Sequence, residues 1–115
     1  MPVIAIDFDD TIHDTRKVAK GHRMGVPMPG AKLTLQKLKD AGFTIIINSH
    51  RAQSAPDGGK HVKEWLDYFS IPYDEIAKTK PKADFYLDDR GVRFTDWATV
   101  IPDIEAITGK KVSRL

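Results

Sequence analysis

The sequence predicts an α/β fold, a Rossmann-like three-layer sandwich built on a mostly parallel sheet. Three observations lead to it. Short apolar runs at residues 3–6, 43–47 and 83–87 alternate with stretches whose apolar residues recur at helical spacing. The clearest runs are continuous rather than alternating, as expected of strands buried on both faces of a parallel sheet. Clusters of polar and charged residues come directly after these runs, where open α/β sheets place their ligands.

Taken in order, Val3, Ile4, Ala5 and Ile6 make the first strand. Residues 13–29 are irregular. A helix is predicted from near Pro29 and Gly30, because proline suits a first helical turn. Ala31, Leu35 and Leu38 give that helix an apolar face, and Gly42 stands where a helix would be capped. The second strand covers 43–47 and holds Ile45, Ile46 and Ile47 in succession. Residues 54–59 have loop composition, and a glycine-rich loop at a strand end could reach a substrate. Val62, Trp65, Leu66 and Phe69 fall at i, i+3, i+4 and i+7, a helix face turned to the core, and Pro72 ends that element. Short strands are predicted near 75–77 and 92–94, flanking the one at 83–87. A last helix is predicted over 102–108, closed by Gly109. Trp65 and Trp97 read as core anchors.

A chain of 115 residues suffices for one domain, 1–115, around one core. With 41% hydrophobic and 30% charged residues it is ordinary for a globular protein, which argues against disorder. The absence of cysteine excludes disulfides, thiolate metal sites and a cysteine nucleophile, and is compatible with the cytoplasm. No apolar run approaches a membrane span, no signal-peptide pattern is visible, and no membrane partner is expected. A net charge of +2 is too small to imply nucleic-acid binding by itself.

The chemistry concentrates in four clusters. Asp7-Phe8-Asp9-Asp10-Thr11 comes after strand one, Asn48-Ser49-His50-Arg51 after strand two, Lys80-Pro81-Lys82 before the 83–87 strand, and Asp88-Asp89-Arg90 after it. In a parallel sheet these meet at one edge. Asp7, Asp9, Asp88 and Asp89 would then crowd one crevice, and like charges a few ångströms apart disfavour joint ionisation. A cation between them resolves the conflict, and hard carboxylate oxygens without sulfur suit Mg2+ better than zinc. Lys80 or Lys82, Ser49 and main-chain N–H groups near Phe8 and Asp9 could hold phosphate oxygens. A carboxylate nucleophile, a metal and phosphate donors together fit phosphoryl transfer, which rests on positioning and charge stabilisation.

In this order the clusters resemble the haloacid dehalogenase superfamily of phosphatases. Its motifs are an apolar strand ending in Asp-x-Asp-x-Thr, a strand ending in Ser or Thr, a lysine, and a strand ending in an acidic pair. All four are present between residues 3 and 89. The resemblance implies a haloacid dehalogenase-like hydrolase fold and a Mg2+-dependent phosphomonoesterase working through an aspartyl-phosphate. Asp7 would be the nucleophile, and Asp9 the general acid and then the general base. Ser49 would bind the phosphoryl group. Lys80, the familiar Lys-Pro form, would neutralise it, with Lys82 as the alternate. Asp88 would ligate Mg2+ with Asp7 and the main-chain oxygen of Asp9, and Asp89 would do so directly or through water. Arg51, His50 and Arg90 are possible substrate contacts. His13 lies close to the site in sequence, but reads more simply as a polar histidine.

The connection over 13–29 has 17 residues, too few for a cap domain. The chain thus looks like a capless member, whose open site suits a large or anionic phosphorylated substrate: a nucleotide, a polynucleotide end, a glycan or a protein. A neighbouring subunit could supply a lid. Arg16, Lys17, Lys20 and Arg23 could form a basic flap over the site or a solvated loop. The alternatives are a phosphotransferase or a non-catalytic phosphate- or nucleotide-binding module on the same fold. Response-regulator receivers use similar residues, but there the lysine comes last and the phosphorylated aspartate sits on a middle strand.

Overall fold

The computed structural model describes residues 2–18, 24–54, 56–79, 81–88, 92–93, 96–109 and 112. The elements run β1 (Val3–Asp7), β2 (His13–Asp14), β3 (Val26–Pro27), α1 (Ala31–Asp40), β4 (Thr44–Asn48), α2 (His50–Ser54), α3 (Gly58–Tyr68), β5 (Glu75–Ile76), β6 (Phe85–Asp88), β7 (Val92–Arg93) and α4 (Trp97–Thr108). A five-stranded sheet has the order β5-β4-β1-β6-β7, and every neighbouring pair in it is parallel. The chain builds outward from β1 through β4 to β5, then returns to the other side of β1 for β6 and β7. The strand order therefore reverses between β1 and β6, the kind of place where open α/β sheets bind ligands.

The sheet interior reflects the apolar runs. Ile4, Ile6, Ile45, Ile47 and Leu87 are fully buried, and Ala5 and Ile46 nearly so, so β1 and β4 are covered on both faces. Leu35 and Leu38 from α1, Val62 and Leu66 from α3, and Val100 and Ile104 from α4 complete one core cluster, which also takes in Trp65 and Trp97. The end of α1 is set by Gly42 at φ 93°. From there the Gly42 N–H reaches the Lys39 carbonyl and the Phe43 N–H reaches the Leu38 carbonyl, each at 3.0 Å. These two bonds close a Schellman motif.

Beyond shifts of one or two residues at other strand ends, four departures from the sequence reading have a local reason. The 13–29 connection is not wholly irregular: β2 and β3 pair antiparallel, His13 with Pro27 and Asp14 with Val26. Two residues per strand are too few to show periodicity. The second strand starts one residue later, at Thr44, because the Schellman turn includes Phe43. The 54–59 stretch is not a loop throughout, since α2 runs to Ser54 and α3 opens at Gly58. Gly58 is buried, and a Cβ on it would overlap the Arg51 carbonyl oxygen. This glycine permits close contact between two helices rather than chain flexibility. Helix α4 starts at Trp97, five residues before the proline taken as its start. Asp96 caps it through a 3.2 Å bond accepted from the Thr99 N–H, and Pro102 is carried inside. Among the described residues no helix is long and apolar enough to cross a membrane.

The two adjacent glycines opening α3 should respond oppositely to alanine. Gly58→Ala is expected to destabilise the protein by about 1–3 kcal/mol through overpacking against the α2 backbone. A Cβ on Gly59 meets nothing within 4 Å. Gly59→Ala should therefore be neutral or stabilising by up to about 1 kcal/mol. Urea unfolding of both variants checks the pair; equal effects would contradict the α2–α3 packing.

Candidate active site

Asp7 is the last residue of β1 and is in register with Asn48, the last residue of β4. On the other side of β1, Ile6 is in register with Leu87, so Asp7 and Asp88 end neighbouring parallel strands at the same edge. The backbone of Asp88 is described; its side chain is not. Lys80, Asp89 and Arg90 lie outside the described residues, as do Lys20, His22 and Arg23 of the basic stretch. Of the anticipated set, the structure thus brings Asp7, Phe8, Asp9, Ser49, His50 and Arg51 together, with the Asp88 backbone beside them.

The chain leaves β1 through a tight turn. The Phe8 carbonyl accepts the N–H groups of Thr11, Ile12 and His13 at 3.3, 2.9 and 2.9 Å, and the Asp10 N–H returns to the His13 carbonyl at 2.6 Å. Asp10 takes φ 59°, a left-handed value that aspartate tolerates better than most residues. Its carboxylate accepts the Thr15 N–H and hydroxyl at 3.1 and 2.6 Å. The turn carries Thr11 back over the strand end, where its hydroxyl donates to Asp7 Oδ2 at 3.4 Å. The Phe8 side chain is fully buried, so only its main chain can face a ligand.

Asp9 is held from two directions. His13 Nδ1 lies 2.8 Å from its Oδ1. Arg51, from the first turn of α2, reaches Oδ1 through Nη2 at 3.2 Å and Oδ2 through Nε and Nη2, both at 3.3 Å. The hydrogen bond from His13 is the chief reason the Asp9 carboxyl is held below the usual aspartate range. Partial burial opposes this, and the hydrogen bonds and positive charge of Arg51 reinforce it. His13 itself is 1% exposed. Its ring stacks on Phe8 with centroids 5.2 Å apart and packs edge-on against Trp65, also at 5.2 Å.

On the β4 side, Ser49 is buried and its Oγ accepts the Ala52 N–H at 3.2 Å, so it caps the short helix that carries Arg51. Its hydroxyl proton is left to donate. Asn48, the neighbour of Ser49 at the end of β4, accepts the Gln53 side-chain amide at 2.8 Å. His50 and Lys82 are exposed. Arg16, the first of the basic stretch, pairs with Asp14 at 3.2 Å.

The donors at this edge fit a hard cation. The Asp7 carboxylate and the residue position of Asp88 adjoin at the strand ends, and the set offers oxygen without sulfur. Among the described residues no three or more histidine, cysteine or acidic side chains group into a cation site. Two of the four expected ligands, Asp88 and Asp89, have side chains outside that description.

Sequence reasoning undervalued two residues. Thr11 appeared only as the end of a motif, and His13 as an ordinary polar histidine. Both placements depend on the Phe8–His13 turn. One cue was available: His13 lies four residues after Asp9, the spacing at which side chains meet across one helical turn.

No family model matches the chain. It is 36% identical over 69 residues to a Chlorobaculum tepidum protein named "Putative 5'(3')-deoxyribonucleotidase", a match covering 54% of this chain and 34% of that protein. The chain thus spans about a third of that relative's length. Two solved structures resemble nearly the whole chain. A conserved protein from Bacteroides thetaiotaomicron has a TM-score of 0.69 at 27% identity, covering 96% of this chain and 92% of that one. A Vibrio cholerae protein has a TM-score of 0.60 at 26% identity, covering 94% and 100%.

Because the folded-state pKa of Asp9 is lowered, its interactions stabilise the protein above the unfolded-state pKa, about 3.9, and that contribution is lost as pH falls through the lower folded value. The wild type should therefore lose more stability than Asp9→Asn on acidification below about pH 4. Denaturant melts of both proteins across that range check it; parallel acid limbs would show that Asp9 is not held as described.

Proposed function

We propose that this chain, which belongs to the haloacid dehalogenase superfamily, is a Mg2+-dependent phosphomonoesterase that works through a phosphorylated Asp7. The observation that carries the reading is the placement of Asp7 and Asp9 at and just beyond the end of β1, at the reversal point of the sheet, with Arg51 and Ser49 delivered from the end of β4.

The chemistry divides into two displacements. The Asp7 carboxylate attacks phosphorus while the ester oxygen departs, and that oxygen takes a proton from Asp9. This leaves an aspartyl-phosphate on Asp7 and an ionised Asp9. Asp9 then accepts a proton from water as the water oxygen attacks phosphorus. Inorganic phosphate leaves, Asp7 is regenerated, and Asp9 is ready to donate again. Asp7, the main-chain oxygen of Asp9, Asp88 and Asp89 would hold Mg2+, which supplies positive charge against the phosphoryl oxygens. Lys80, or Lys82 in its place, would add a cation, and the Ser49 hydroxyl and the Phe8 main-chain N–H would donate to phosphate.

Arg51 has a part that its sequence position alone does not convey. In the free protein its guanidinium adds to the His13 hydrogen bond in holding the Asp9 carboxyl below the usual aspartate range, which suits a base and not an acid. A phosphate dianion offers Arg51 a better bidentate partner than one carboxylate. Transfer of Arg51 to the substrate would remove its share of that hold and so favour the protonated Asp9 that the first displacement needs, while the His13 hydrogen bond stays in place.

For the substrate we favour a nucleotide. The name of the Chlorobaculum tepidum protein supports this, and so does the open architecture, in which no cap-sized insertion comes after β1. His50, exposed at the start of α2, and Arg90 remain candidates for contacts beyond the phosphate. A polynucleotide end, a phosphorylated glycan or a phosphoprotein would use the same chemistry. A panel of these esters, with release of inorganic phosphate as the measurement, separates them.

Asp7→Asn is expected to remove turnover of an aryl phosphate altogether while leaving the melting temperature within a few degrees; undiminished turnover would end its role as nucleophile. Asp9→Asn should cost about 10²–10⁴-fold on esters with poor leaving groups, the usual contribution of a general acid, and less on good ones. Chelation should stop turnover, and millimolar Mg2+ should raise the melting temperature, because binding to the native state alone stabilises it. An unchanged melting temperature across a magnesium titration would count against the metal.

A further inference from the structure

The buried imidazole of His13 takes no part in the two displacements. Both of its nitrogens are engaged. Nδ1 lies 2.8 Å from Asp9 Oδ1, and Nε2 lies 2.7 Å from the Gly25 backbone nitrogen. A backbone N–H can only donate, so Nε2 must present its lone pair to Gly25. A neutral imidazole has one proton, which must then be on Nδ1, and the ionised carboxylate that it faces can only accept. The contacts thus select a single tautomer and a single direction: Gly25 N–H to Nε2, then Nδ1–H to Asp9 Oδ1.

The ring has no room to do otherwise. Phe8 and Trp65 pack against it, Phe8 in a near-parallel stack at 20° and Trp65 closer to edge-on at 72°. Its anchor is fixed as well. The Gly25 carbonyl accepts the Trp65 indole N–H at 2.9 Å, and a Cβ on Gly25 would overlap the Asp14 carbonyl oxygen. Asp9's other partner is of a different kind, for Arg51 is one-third exposed and stands on a five-residue helix.

We propose that His13 is a positioning residue for Asp9: it occupies Oδ1 permanently, so that Oδ2 is the oxygen that exchanges the proton with the leaving group and with water. This rests on the reading of Asp9 as acid and base. The return arm of the first connection, which carries Gly25, is thereby fastened to the proton-transfer group through a ring that itself moves no proton. The same bonds exclude His13 as a direct contact to the leaving group.

Two measurements test this. The first needs no turnover. In protein labelled with 15N in histidine, long-range 15N–1H correlation should show the His13 proton on Nδ1 and a bare Nε2. A proton on Nε2 would overturn the proposal. The second is kinetic and uses a series of aryl phosphates with good to poor leaving groups. His13→Phe keeps a stacked ring but removes the donor. It should lower kcat about 10–100-fold for poor leaving groups, the cost typical of losing a partner that orients a functional group, with little change for good ones or in KM. His13→Asn, whose amide nitrogen can occupy the place of Nδ1, should recover most of that loss. A loss uniform across the series, or no recovery in the asparagine variant, would overturn the proposal. If His13→Phe does not fold, the asparagine variant and the tautomer decide. A wild type that hydrolyses no ester would refute the phosphatase reading and the catalytic role of His13 with it. The tautomer would still show whether the ring holds Asp9.

Discussion

The pairing of β1 on both sides is the constraint on which the site depends. Parallel ladders to β4 and β6 fix the strand's height in the sheet, and burial of Ile4, Ala5 and Ile6 fixes its register, since a slip of one residue would turn each side chain to the opposite face. Asp7 is the last rung of that ladder. One residue earlier, a carboxylate would be sealed in the apolar interior at a large desolvation cost. One residue later, it would belong to the turn and lose its alignment with Asn48 and the end of β6. The position of Asp7 is therefore set by sheet packing, and the residues around it are arranged relative to that fixed point.

Charge balance organises the segment beyond the strand. Four acidic residues occur within eight positions, Asp7, Asp9, Asp10 and Asp14, and each has a partner within the same turn and connection. Asp7 takes the Thr11 hydroxyl, Asp10 takes Thr15, Asp14 takes Arg16, and Asp9 takes His13, with Arg51 added from α2. These pairings give each of the four carboxylates a hydrogen-bond donor. They also change how the basic stretch reads: Arg16 is engaged with Asp14, so its charge is partly committed to holding the connection.

Much of this was legible in the sequence. The strands with continuous β-branched runs are identifiable to within about two residues, because their short length, β-branched content and polar flanks suit a strand better than a helix. The strand-end clusters are legible for the same reason, since each is a polar group that ends an apolar run. Legibility failed where a short range of contacts decided the outcome. Gly58 looked like a loop glycine, because sequence does not show that the Arg51 backbone would press on it. Pro102 looked like a helix start until Asp96 and Thr99 supplied the real cap. The β2–β3 pair involves two residues on each side and has no period to detect. The burial of His13 was not legible: it comes from the rings of Phe8 and Trp65, and Trp65 is 52 residues away in the chain.

In the proposed reaction the two partners of Asp9 answer different demands that acid and base chemistry would place on one carboxylate. A group that exchanges a proton twice per cycle must be oriented throughout, yet must also lose part of what favours its ionised form before it can act as an acid. Both partners favour the ionised form, His13 the more, so the bond that persists orients the carboxylate and the one that can break relieves part of the hold. Burial separates the roles here. His13 lies between aromatic rings with both nitrogens committed, so leaving Asp9 would strand a polar ring in the core. Arg51 is one-third exposed, and a phosphate dianion would offer it a better bidentate partner than one carboxylate. The sequence supplies the division with two residues on different elements, one within the turn after β1 and one on the helix after β4. Their meeting at a single carboxylate is a consequence of β1 and β4 being neighbours in the sheet.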